Sequence, residues 1–550
     1  MKQILYLISP VFGRSRLIRY ILLGIFAGAC SFAFITAITR FIDLAINGSL
    51  TRIEPRYLLL CAAIILLLIG ARRALTLGII QSSQQLFRTL RQEILARILN
   101  SGYQQLTERR NHINTAILRD VYVLTEASMS IIQFFTALVM GVGCLIYLAV
   151  ISIWLFAVTI AVVVTGVVVY SLNNQTNSQR FNQGRVLEDR FMEYFNAILN
   201  GFKEINMDPR KGNDIYEHKI GPVNNESYEN NVAAHTGFLN NQMIGQVLFY
   251  LLIATVLLVF SIILHIKAGS VVSFVFTLLY LLSSIETVLG ALPSLTRAKV
   301  AAIHIKDLQT KLAGESTENR LPARYILKDE FKSLEIADLC YSYHNGAFKI
   351  GPVNMEIRKG ETIFIYGGNG SGKTTFIHNI TGIRTPSEGQ LILNGTPVTA
   401  ADLPEYKTAF AVVFSDFYLF DELVGVPEVD ASKWAYYLRL FELEDKIKIE
   451  GRHFSTTSLS TGQRKRLALI AALMENKPLL VLDEWAADQD PYFRKKFYTE
   501  IIPLLKKEGI STIAITHDDK YYHTADKLYK MDYGNLIRED INTYADSSFP

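Results

Sequence analysis

Two short stretches of the chain carry residue types that could do chemistry together: one is rich in carboxylates and the other in glycine. The stretch "LDEWAADQD" places four carboxylates directly after the apolar run "PLLVL", beginning with Asp483 and Glu484. Such a cluster is either a solvated acidic turn after a strand or a ligand site at the carboxyl edge of a parallel sheet. The second interpretation requires a phosphate-binding loop elsewhere in the chain.

The glycine-rich stretch "GGNGSGKTTF" follows the apolar segment "ETIFIY" and precedes a helical pattern. A strand, a loop and a helix in this order separate a P-loop from a glycine-rich turn that carries a surface lysine. Backbone amides and the helix N-terminus bind phosphate there, so we expect Lys373 to reach the β- and γ-phosphates and Thr374 to ligate Mg²⁺. The expected ATP contacts in this loop are Gly367, Gly368, Asn369, Gly370, Ser371, Gly372, Lys373, Thr374 and Thr375.

The adjacent acids after "PLLVL" then suit two roles in hydrolysis. Asp483 is expected to hold Mg²⁺ through its water shell, while Glu484 polarises the water that attacks the γ-phosphate. The two stretches together therefore predict a site that binds ATP and Mg²⁺ and hydrolyses ATP.

The composition indicates that much of the chain lies in a membrane. Of 550 residues, 50% are hydrophobic and 19% are charged, against roughly 25% charged in soluble domains. The net charge of +4 gives no reason to expect nucleic acid as a partner. The four cysteines form no pair spaced for a metal site, which favours buried free thiols over disulfides or metal ligation. They are Cys30, Cys61, Cys144 and Cys340.

Six apolar runs are long enough to span a bilayer, which takes ~20 residues each. They lie at residues 17–39, 57–80, 131–151, 153–172, 243–264 and 270–292. Beyond about residue 300 the pattern changes to short strands alternating with amphipathic helices. We therefore expect a transmembrane domain at 1–313, a linker at 314–330, an α/β ATP-binding domain at 331–542 and a short tail at 543–550.

The basic residues predict the orientation of these spans. The N-terminal segment and the two long polar connections are rich in arginine, whereas the three short turns hold only Arg52, Arg56 and Lys267. The positive-inside rule then puts both termini and the α/β domain in the cytoplasm. The long connections keep a helical period, so we expect the spans to continue into the cytoplasm as helices with a short turn at each tip.

Three further motifs carry a family resemblance. "LSTGQRKR" resembles the signature motif of ABC ATPases, with Thr461 where glycine is usual. "YSYHNG" has a tyrosine where the family stacks an aromatic ring on adenine, and "IAITHDD" has a histidine where a switch histidine contacts the γ-phosphate. The resemblance implies further ATP contacts at Tyr343, Ser460, Thr461, Gly462, Gln463 and Asp490, and catalytic roles for Glu484 and His517.

Six spans fused to one such domain resemble an ABC half-transporter of the exporter fold, which implies a homodimer. The strings "YGGNGSGKTTF" and "LDEWAADQDPYFRKKFY" resemble bacterial exporters of cyclic peptides and siderophores, among them microcin, pyoverdine and lipopeptide exporters. This implies a multi-pass protein of the bacterial inner membrane, in contact with the lipid bilayer, that exports a peptide or siderophore cargo. No rule of sequence identifies that cargo.

Three positions near the motifs are read from the same resemblance. Asp490 matches the aspartate of a loop that crosses to the opposite P-loop in a head-to-tail dimer. Asp488 stands where alanine is usual, which indicates local hydrogen bonding or solvation. Ser415 stands where the family has a glutamine that touches Mg²⁺. Serine is shorter, so a water or Asp416 would have to complete the metal contact, and Ser415 is only a doubtful metal residue.

Polar residues inside the spans are candidates for the cargo path. Glu286 and Gln246 are the residues we assign to a substrate cavity, although Glu286 could equally make a structural hydrogen bond between helices. The cluster from Asn240 to Met243 either lines a polar path or caps the start of the fifth span. Arg40 and Asp43 are better explained as a snorkelling pair at the membrane interface.

Two other functions fit the same motifs. A siderophore importer could have the exporter fold, and an ATP-gated membrane regulator could hydrolyse ATP slowly without moving solute stoichiometrically. The presence of both Glu484 and His517 weighs against the regulator, because a regulator does not need both. The six spans exclude a soluble ABC protein.

Overall fold

A computed structural model describes residues 15–41 except 17, 21, 35, 39 and 40, and then residues 55–260, 268–313, 330–343 and 348–541. The chain forms two compact units, one of Met1–Leu99 with Arg109–Gly314 and the other of Asn100–Glu108 with Glu315–Pro550. Arg40, Asp43, the tail at 543–550 and all of the expected linker except residue 330 lie outside the described residues.

The first unit contains the apolar helices. Six helices in the described ranges are long and apolar enough to cross a bilayer, as the sequence predicts. Their spans are Ile18–Ile38, Pro55–Asn100, His112–Ile151, Ile153–Tyr170, Pro209–Phe260 and Ser270–Leu312.

Several of these helices are far longer than a bilayer requires. The helix Pro55–Asn100 has 46 residues, or about 69 Å at 1.5 Å per residue, against ~30 Å for the hydrocarbon core. The helix Ile153–Asn200 has 48 residues. Gly201 follows as a one-residue turn that leads into the next helix, Phe202–Met207. These continuous helices agree with the prediction that the spans extend beyond the membrane.

The helix bounds in this part of the chain, after the first span, follow from the backbone hydrogen bonds. The α-helices are Pro55–Asn100, Tyr103–Thr115, Val121–Ile151, Ile153–Asn200, Phe202–Met207, Pro209–Ile215, Gly221–Thr255 and Ala268–Ala313, with π-helical turns at Ala116–Asp120, Tyr216–Ile220 and Val256–Phe260. Two pairs pack along their length: Val121–Ile151 with Ala268–Ala313, and Ile153–Asn200 with Gly221–Thr255. Buried side chains such as Leu148, Phe249 and Phe274 form one apolar cluster among these four helices.

The second unit is built on two sheets. The strands are β1 Ser333–Ser342, β2 Lys349–Arg358, β3 Thr362–Tyr366, β4 Glu388–Leu393, β5 Thr396–Pro397, β6 Phe410–Val413, β7 Ile449–Glu450, β8 His453–Phe454, β9 Leu479–Asp483, β10 Ser511–Ile515, β11 Lys527–Asp532 and β12 Asn535–Glu539. A four-stranded sheet has the order β2-β1-β4-β5, a six-stranded sheet has the order β12-β11-β3-β10-β9-β6, and β7 pairs with β8.

Helices cover these sheets. The α-helices of this unit are Lys373–Ile380, Leu403–Tyr406, Ala431–Leu440, Thr461–Met474, Pro491–Lys496 and Ile502–Lys507. Every residue of β9 and β10 is buried, which is typical of central strands in a parallel sheet. Ile365 of β3 and Asp483 of β9 both pair with Ile515 of β10. The P-loop after β3 and the acids at the end of β9 therefore lie at the same edge of the sheet.

All four cysteines are free thiols, as the sequence predicts. Cys30, Cys144 and Cys340 are buried, but Cys61 is only half-buried. The expectation of burial is therefore wrong for Cys61, which lies in an apolar helix with much of its surface exposed.

Candidate nucleotide-binding site

The P-loop connects β3 to the helix Lys373–Ile380, which we call the P-loop helix. A Cβ added to Gly367 would lie 2.1 Å from the Met531 carbonyl oxygen, and Gly372 has φ +108°. Both positions therefore require glycine. Gly368, Asn369 and Gly370 form the exposed tip of the loop, while Ser371 is buried and its hydroxyl has no hydrogen-bond partner among the described residues.

Lys373 occupies the centre of this loop. Its side chain is buried, and its Nζ donates to the carbonyl oxygens of Gly367 at 2.9 Å and Gly368 at 3.1 Å. The same ammonium lies 3.7 Å from Glu484 Oε1. A cation held here by backbone carbonyls can exchange those contacts for phosphate oxygens, which is what a P-loop lysine must do.

Three oxygen-bearing side chains converge beside the loop. Thr374 Oγ1 donates to Asp483 Oδ2 at 3.2 Å, and Ser415 Oγ donates to the same oxygen at 3.1 Å. Burial raises the pKa of the Asp483 carboxyl, the neighbouring charge of Glu484 raises it further, and the two hydroxyl donors oppose this. Asp483 Oδ1 is buried without a hydrogen-bond partner among the described residues.

These residues fit a magnesium ion. Mg²⁺ prefers oxygen ligands and readily keeps several waters, so it is often bound by one carboxylate together with substrate phosphates. The unpartnered Asp483 Oδ1 is a buried acceptor of the kind that such an ion or its water shell satisfies. Ser415 reaches the same carboxylate directly, while no hydrogen bond of Asp416 to Asp483 is present in the described structure.

Glu484 lies at the turn that follows β9, and its backbone is in the left-handed region with φ 50°. A non-glycine residue in that region costs roughly 1–3 kcal/mol and is often found at functional sites. Its carbonyl oxygen accepts from Lys465 Nζ at 3.0 Å, and its Oε1 lies 3.3 Å from His517 Nε2. The structure thus brings together the two residues that the sequence proposed as catalytic.

The signature motif begins the helix Thr461–Met474, which we call the signature helix. Ser460 is its N-cap, and a capping box joins the side chains and backbone of Ser460 and Gln463. Thr461 opens the helix, so the residue that replaces the usual glycine takes a helical conformation. A Cβ on Gly462 would come 2.8 Å from the Asp488 carbonyl oxygen, which explains the glycine at that position.

A dense polar network ties the signature helix to the loop after β9. Lys465 Nζ lies 2.7 Å from Asp488 Oδ2, and Arg466 Nη2 lies 2.7 Å from Asp490 Oδ2. Gln489 accepts from Arg466 Nε at 2.9 Å. Asp488 therefore makes a local ion pair with Lys465, where the sequence predicted local hydrogen bonding or solvation.

Asp490 has a second role that the sequence did not reveal. Its side chain caps the helix Pro491–Lys496 by accepting from the Phe493 amide at 2.9 Å. That amide, together with the Arg466 charge, lowers the pKa of the Asp490 carboxyl. The side chain remains exposed, so the contact to an opposite P-loop stays a prediction.

Sequence reasoning missed Lys465, Arg466 and Gln489. Lys465 and Arg466 are two of the three basic residues that follow "STGQ", and nothing in the sequence distinguishes them from surface charges. Both are buried in the structure, and the Arg466 guanidinium also lies 3.5 Å from the centre of the Phe493 ring. A buried basic pair is costly unless it is partnered, and here the acids of "LDEWAADQD" are the partners.

Tyr343 lies at the end of β1 and is held by its neighbours. Its hydroxyl is 3.1 Å from Thr375 Oγ1, and the Arg384 guanidinium lies 5.1 Å from the centre of its ring. Arg384 also donates to the Tyr341 hydroxyl at 2.7 Å. The ring is thus fixed beside the first turn of the P-loop helix, where an adenine could stack on it.

Residues 100–108 belong to the same compact unit as the site, although the sequence-based boundary places them in the transmembrane domain. Tyr103 packs edge-on against His378 of the P-loop helix, with ring centres 5.4 Å apart. His378 in turn packs against Phe414 at 5.5 Å, the neighbour of Ser415. A chain of aromatic rings therefore leads from Tyr103 through His378 to Phe414, next to Ser415.

The comparisons with known proteins agree with this geometry. The model of a family described as "ABC transporter" matches residues 350–487. Energy-coupling factor transporter ATP-binding protein EcfA2 of Clostridium perfringens (strain SM101 / Type A) is 30% identical over 219 residues, which are 37% of this chain and 76% of that protein. The chain belongs to the ABC transporter family.

Two longer similarities extend over the membrane helices of this ABC transporter. ATP-binding protein SyrD of Pseudomonas syringae pv. syringae is 29% identical over 94% of this chain and 93% of that protein. A solved structure of a bacterial Atm1-family ABC exporter with ATP bound superposes with a TM-score of 0.74 at 16% identity, covering 95% of this chain and 94% of that one. The exporter fold predicted from the sequence is therefore confirmed.

This membership establishes the general activity of the transporter. It is a multi-pass membrane protein with an ATP-binding domain, and its ATPase activity is coupled to transport. The roles of the individual site residues, the ion, the partner and the cargo are proposals.

Proposed function

We propose that this ABC transporter is a homodimer of the bacterial inner membrane that uses ATP hydrolysis to export a cyclic or modified peptide, or a peptide siderophore, from the cytoplasm. The observation that carries the proposal is the incomplete nucleotide site of one chain. The lysine, the acids and the histidine that would contact the γ-phosphate lie together at one edge of the sheet. In the described structure, no hydrogen bond or ion pair joins Ser460–Gln463 to the P-loop.

In this proposal the P-loop amides and Lys373 hold the β- and γ-phosphates, and Tyr343 stacks on the adenine. Thr374 and Asp483 would hold Mg²⁺, with Ser415 beside them, and the bound ion would supply positive charge that stabilises the transferring phosphoryl group. Glu484 accepts the proton of the attacking water, because its carboxylate faces the same space as the Lys373 ammonium. His517 Nε2 lies 3.3 Å from Glu484 Oε1, so His517 would keep the carboxylate in place and contact the γ-phosphate.

The signature segment of a second chain completes the site. The signature helix begins at the exposed residues Ser460 and Thr461, and a helix N-terminus attracts a phosphate. One chain carries one P-loop and one signature segment, so two identical chains in head-to-tail contact make two equal sites. Asp490 would then contact the partner's P-loop while its network with Arg466 holds the loop in shape.

The direction and the cargo class rest on resemblance. The strings around the P-loop and after β9 resemble exporters of cyclic peptides and siderophores, and the similarity to SyrD extends over nearly the whole length of both chains. Cargo would enter from the cytoplasm, and closure of the two nucleotide domains would open the path outward as a rigid-body change.

The test is ATP-driven uptake into membrane vesicles of both orientations. Peptides encoded or synthesised by genes beside the transporter gene would serve as candidate cargo. We expect accumulation in inside-out vesicles, and none when Glu484→Gln replaces the natural chain. Accumulation only in right-side-out vesicles would make the protein an importer. ATP hydrolysis without any accumulation of cargo would favour a regulator.

A further inference from the structure

A cavity of about 250 Å³ lies within the membrane unit. Its walls come from the two helix pairs, namely Val121–Ile151 with Ala268–Ala313 and Ile153–Asn200 with Gly221–Thr255. Most of the wall is apolar, with leucine, valine, isoleucine, phenylalanine and glycine side chains. The helix Gly221–Thr255 runs through Asn240–Met243 without a break. The interpretation of that cluster as a helix cap is therefore wrong, and Asn241 and Gln242 line the cavity instead.

One charged side chain reaches this apolar cavity. Glu286 lines it, and Gln246 Nε2 donates to Glu286 Oε1 at 2.6 Å across two helices. The two functions that the sequence left open for Glu286, cavity lining and a bond between helices, are thus both present. No ion pair to Glu286 occurs among the described residues, so its only polar partner found there is a neutral amide.

A carboxylate within a membrane span and beside an apolar cavity needs a polar partner. Ionisable groups inside spans are paired or serve a solute path. Gln246 orients the carboxylate but supplies no positive charge. A cation from outside the chain would complete the site.

The volume limits what that cation can belong to. Pockets for whole drug-sized ligands measure ≈ 300–1,000 Å³, whereas an engineered cavity of 150 Å³ holds benzene. A cavity of about 250 Å³ therefore accepts one apolar group of a larger molecule, such as an aromatic or short aliphatic side chain, and cannot enclose a whole peptide.

We propose that this cavity is a cargo subsite that takes an apolar group bearing a protonated amine, with Glu286 pairing with the amine and Gln246 holding the carboxylate in position. The inference rests on the proposed transport function and adds the chemical class of the group recognised. A cargo without a positive charge beside an apolar group would lack the feature that this subsite selects.

Two glycines make the cavity testable without removing any contact. Gly166 and Gly245 both line it, and a Cβ added at either meets nothing within 4 Å. Gly245→Leu would fill the cavity while it raises helix propensity. Gly143→Leu is the matched control, because Gly143 lies in a cavity-lining helix and also faces open space but does not line the cavity.

The experiment measures binding of tritiated 2-phenylethylamine to the whole transporter in phosphatidylcholine nanodiscs without nucleotide, with 2-phenylethanol as the uncharged match. We expect saturable amine binding, at least tenfold weaker binding of the alcohol, and at least tenfold loss of amine binding in Gly245→Leu with none in Gly143→Leu. Glu286→Gln should bind the amine and the alcohol equally.

Three binding results would overturn the proposal: unchanged amine binding in Gly245→Leu, equal amine and alcohol binding in the natural chain, or no saturable amine binding. Displacement of the amine by phosphatidylethanolamine would also overturn it, because that result would assign the cavity to lipid. The measurement needs no ATP hydrolysis. Failure of vesicle uptake with intact amine binding would therefore refute the export function, whereas normal uptake with unchanged binding in Gly245→Leu would refute the subsite alone.

Discussion

The P-loop side and the signature side of the nucleotide-binding domain use polar residues in opposite ways. On the P-loop side, Ser371 Oγ and Asp483 Oδ1 are buried and have no hydrogen-bond partner in the part of the chain that the structure describes. On the signature side, Lys465 and Arg466 have their charges satisfied by Asp488 and Asp490. The P-loop side thus keeps buried polar atoms available for a ligand. The charged residues of the signature side are paired with one another, so we call it the closed side.

The difference indicates how the work is divided. A buried polar atom without an internal partner gains most from a ligand, because its burial is otherwise uncompensated. Residues that present a surface to a ligand gain from rigidity, since a fixed helix N-terminus loses little conformational entropy on contact. The rigidity of the signature side is what the proposed ATP site, shared between two chains, requires.

Of the single substitutions that test this comparison, loss of the Glu484 carboxylate should change ATP turnover most. Glu484→Gln keeps the shape but removes the proton acceptor, so ATP turnover should fall about a hundredfold or more while ATP binding persists. Steady-state ATPase activity and filter-binding of ATP measure the two quantities on the purified transporter.

Asp488→Asn is the matched control for this prediction. It neutralises another carboxylate of the same loop, whose partner is Lys465 and which belongs to the closed side. We expect it to keep most of the turnover. Near-normal hydrolysis by Glu484→Gln, or an equal loss in both variants, would remove the distinction between the two sides.

Tyr343 tests the ligand-binding side at its adenine end. Stacking of a base on an aromatic ring contributes about 1–3 kcal/mol by alanine substitution, so Tyr343→Ala should weaken ATP binding by about fivefold to a hundredfold. Tyr343→Phe keeps the ring and loses only the hydroxyl contact to Thr375, so its affinity should change little. Titration with a fluorescent ATP analogue measures both, and an unchanged affinity in Tyr343→Ala would show that another group holds the adenine.

Ser415 should give the smallest change. Its hydroxyl donates to Asp483, and a single hydrogen bond contributes about 0.5–1.5 kcal/mol, so basal hydrolysis in Ser415→Ala should fall between about twofold and about tenfold. The aromatic chain from Tyr103 through His378 ends beside Ser415, so stimulation of hydrolysis by cargo should fall more than basal hydrolysis. Equal stimulation of the two proteins in vesicles would refute a coupling role, and Ser415→Gln should be tolerated.

Much of the nucleotide site could be predicted from the sequence because its chemistry depends on short segments. The P-loop, the acid pair and the signature motif each lie within about ten residues, and strand order brings Asp483 beside Thr374. The partners of Lys465 and Arg466 could not be predicted, because charged residues on a helix are usually solvated and only packing shows which ones are buried.

The membrane cavity shows the other limit of prediction. Glu286 and Gln246 are 40 residues apart and meet only because two helices pack side by side, which no local pattern encodes. The sequence indicates that they are cavity residues, because polar groups inside a membrane span are costly unless they have a function. It could not determine whether they would face each other, or that Gly166 and Gly245 leave open space near them.

The central claim is that each ATP site is shared between two chains, and mixed dimers test it most directly. Lys373→Ala damages the P-loop and Ser460→Arg damages the signature helix N-terminus. The two changes can be placed in different subunits, or both in one subunit with a natural partner, using two affinity tags to purify each mixed dimer. Both arrangements contain the same substitutions and differ only in their placement.

If the sites are shared, changes in different subunits leave one site intact and one doubly damaged, so measurable ATP hydrolysis should remain. Both changes in one subunit damage each site once, so hydrolysis should fall to background. If each chain completed its own site, the results would be reversed, with activity surviving only when both changes lie in the same subunit. That reversal would contradict the account.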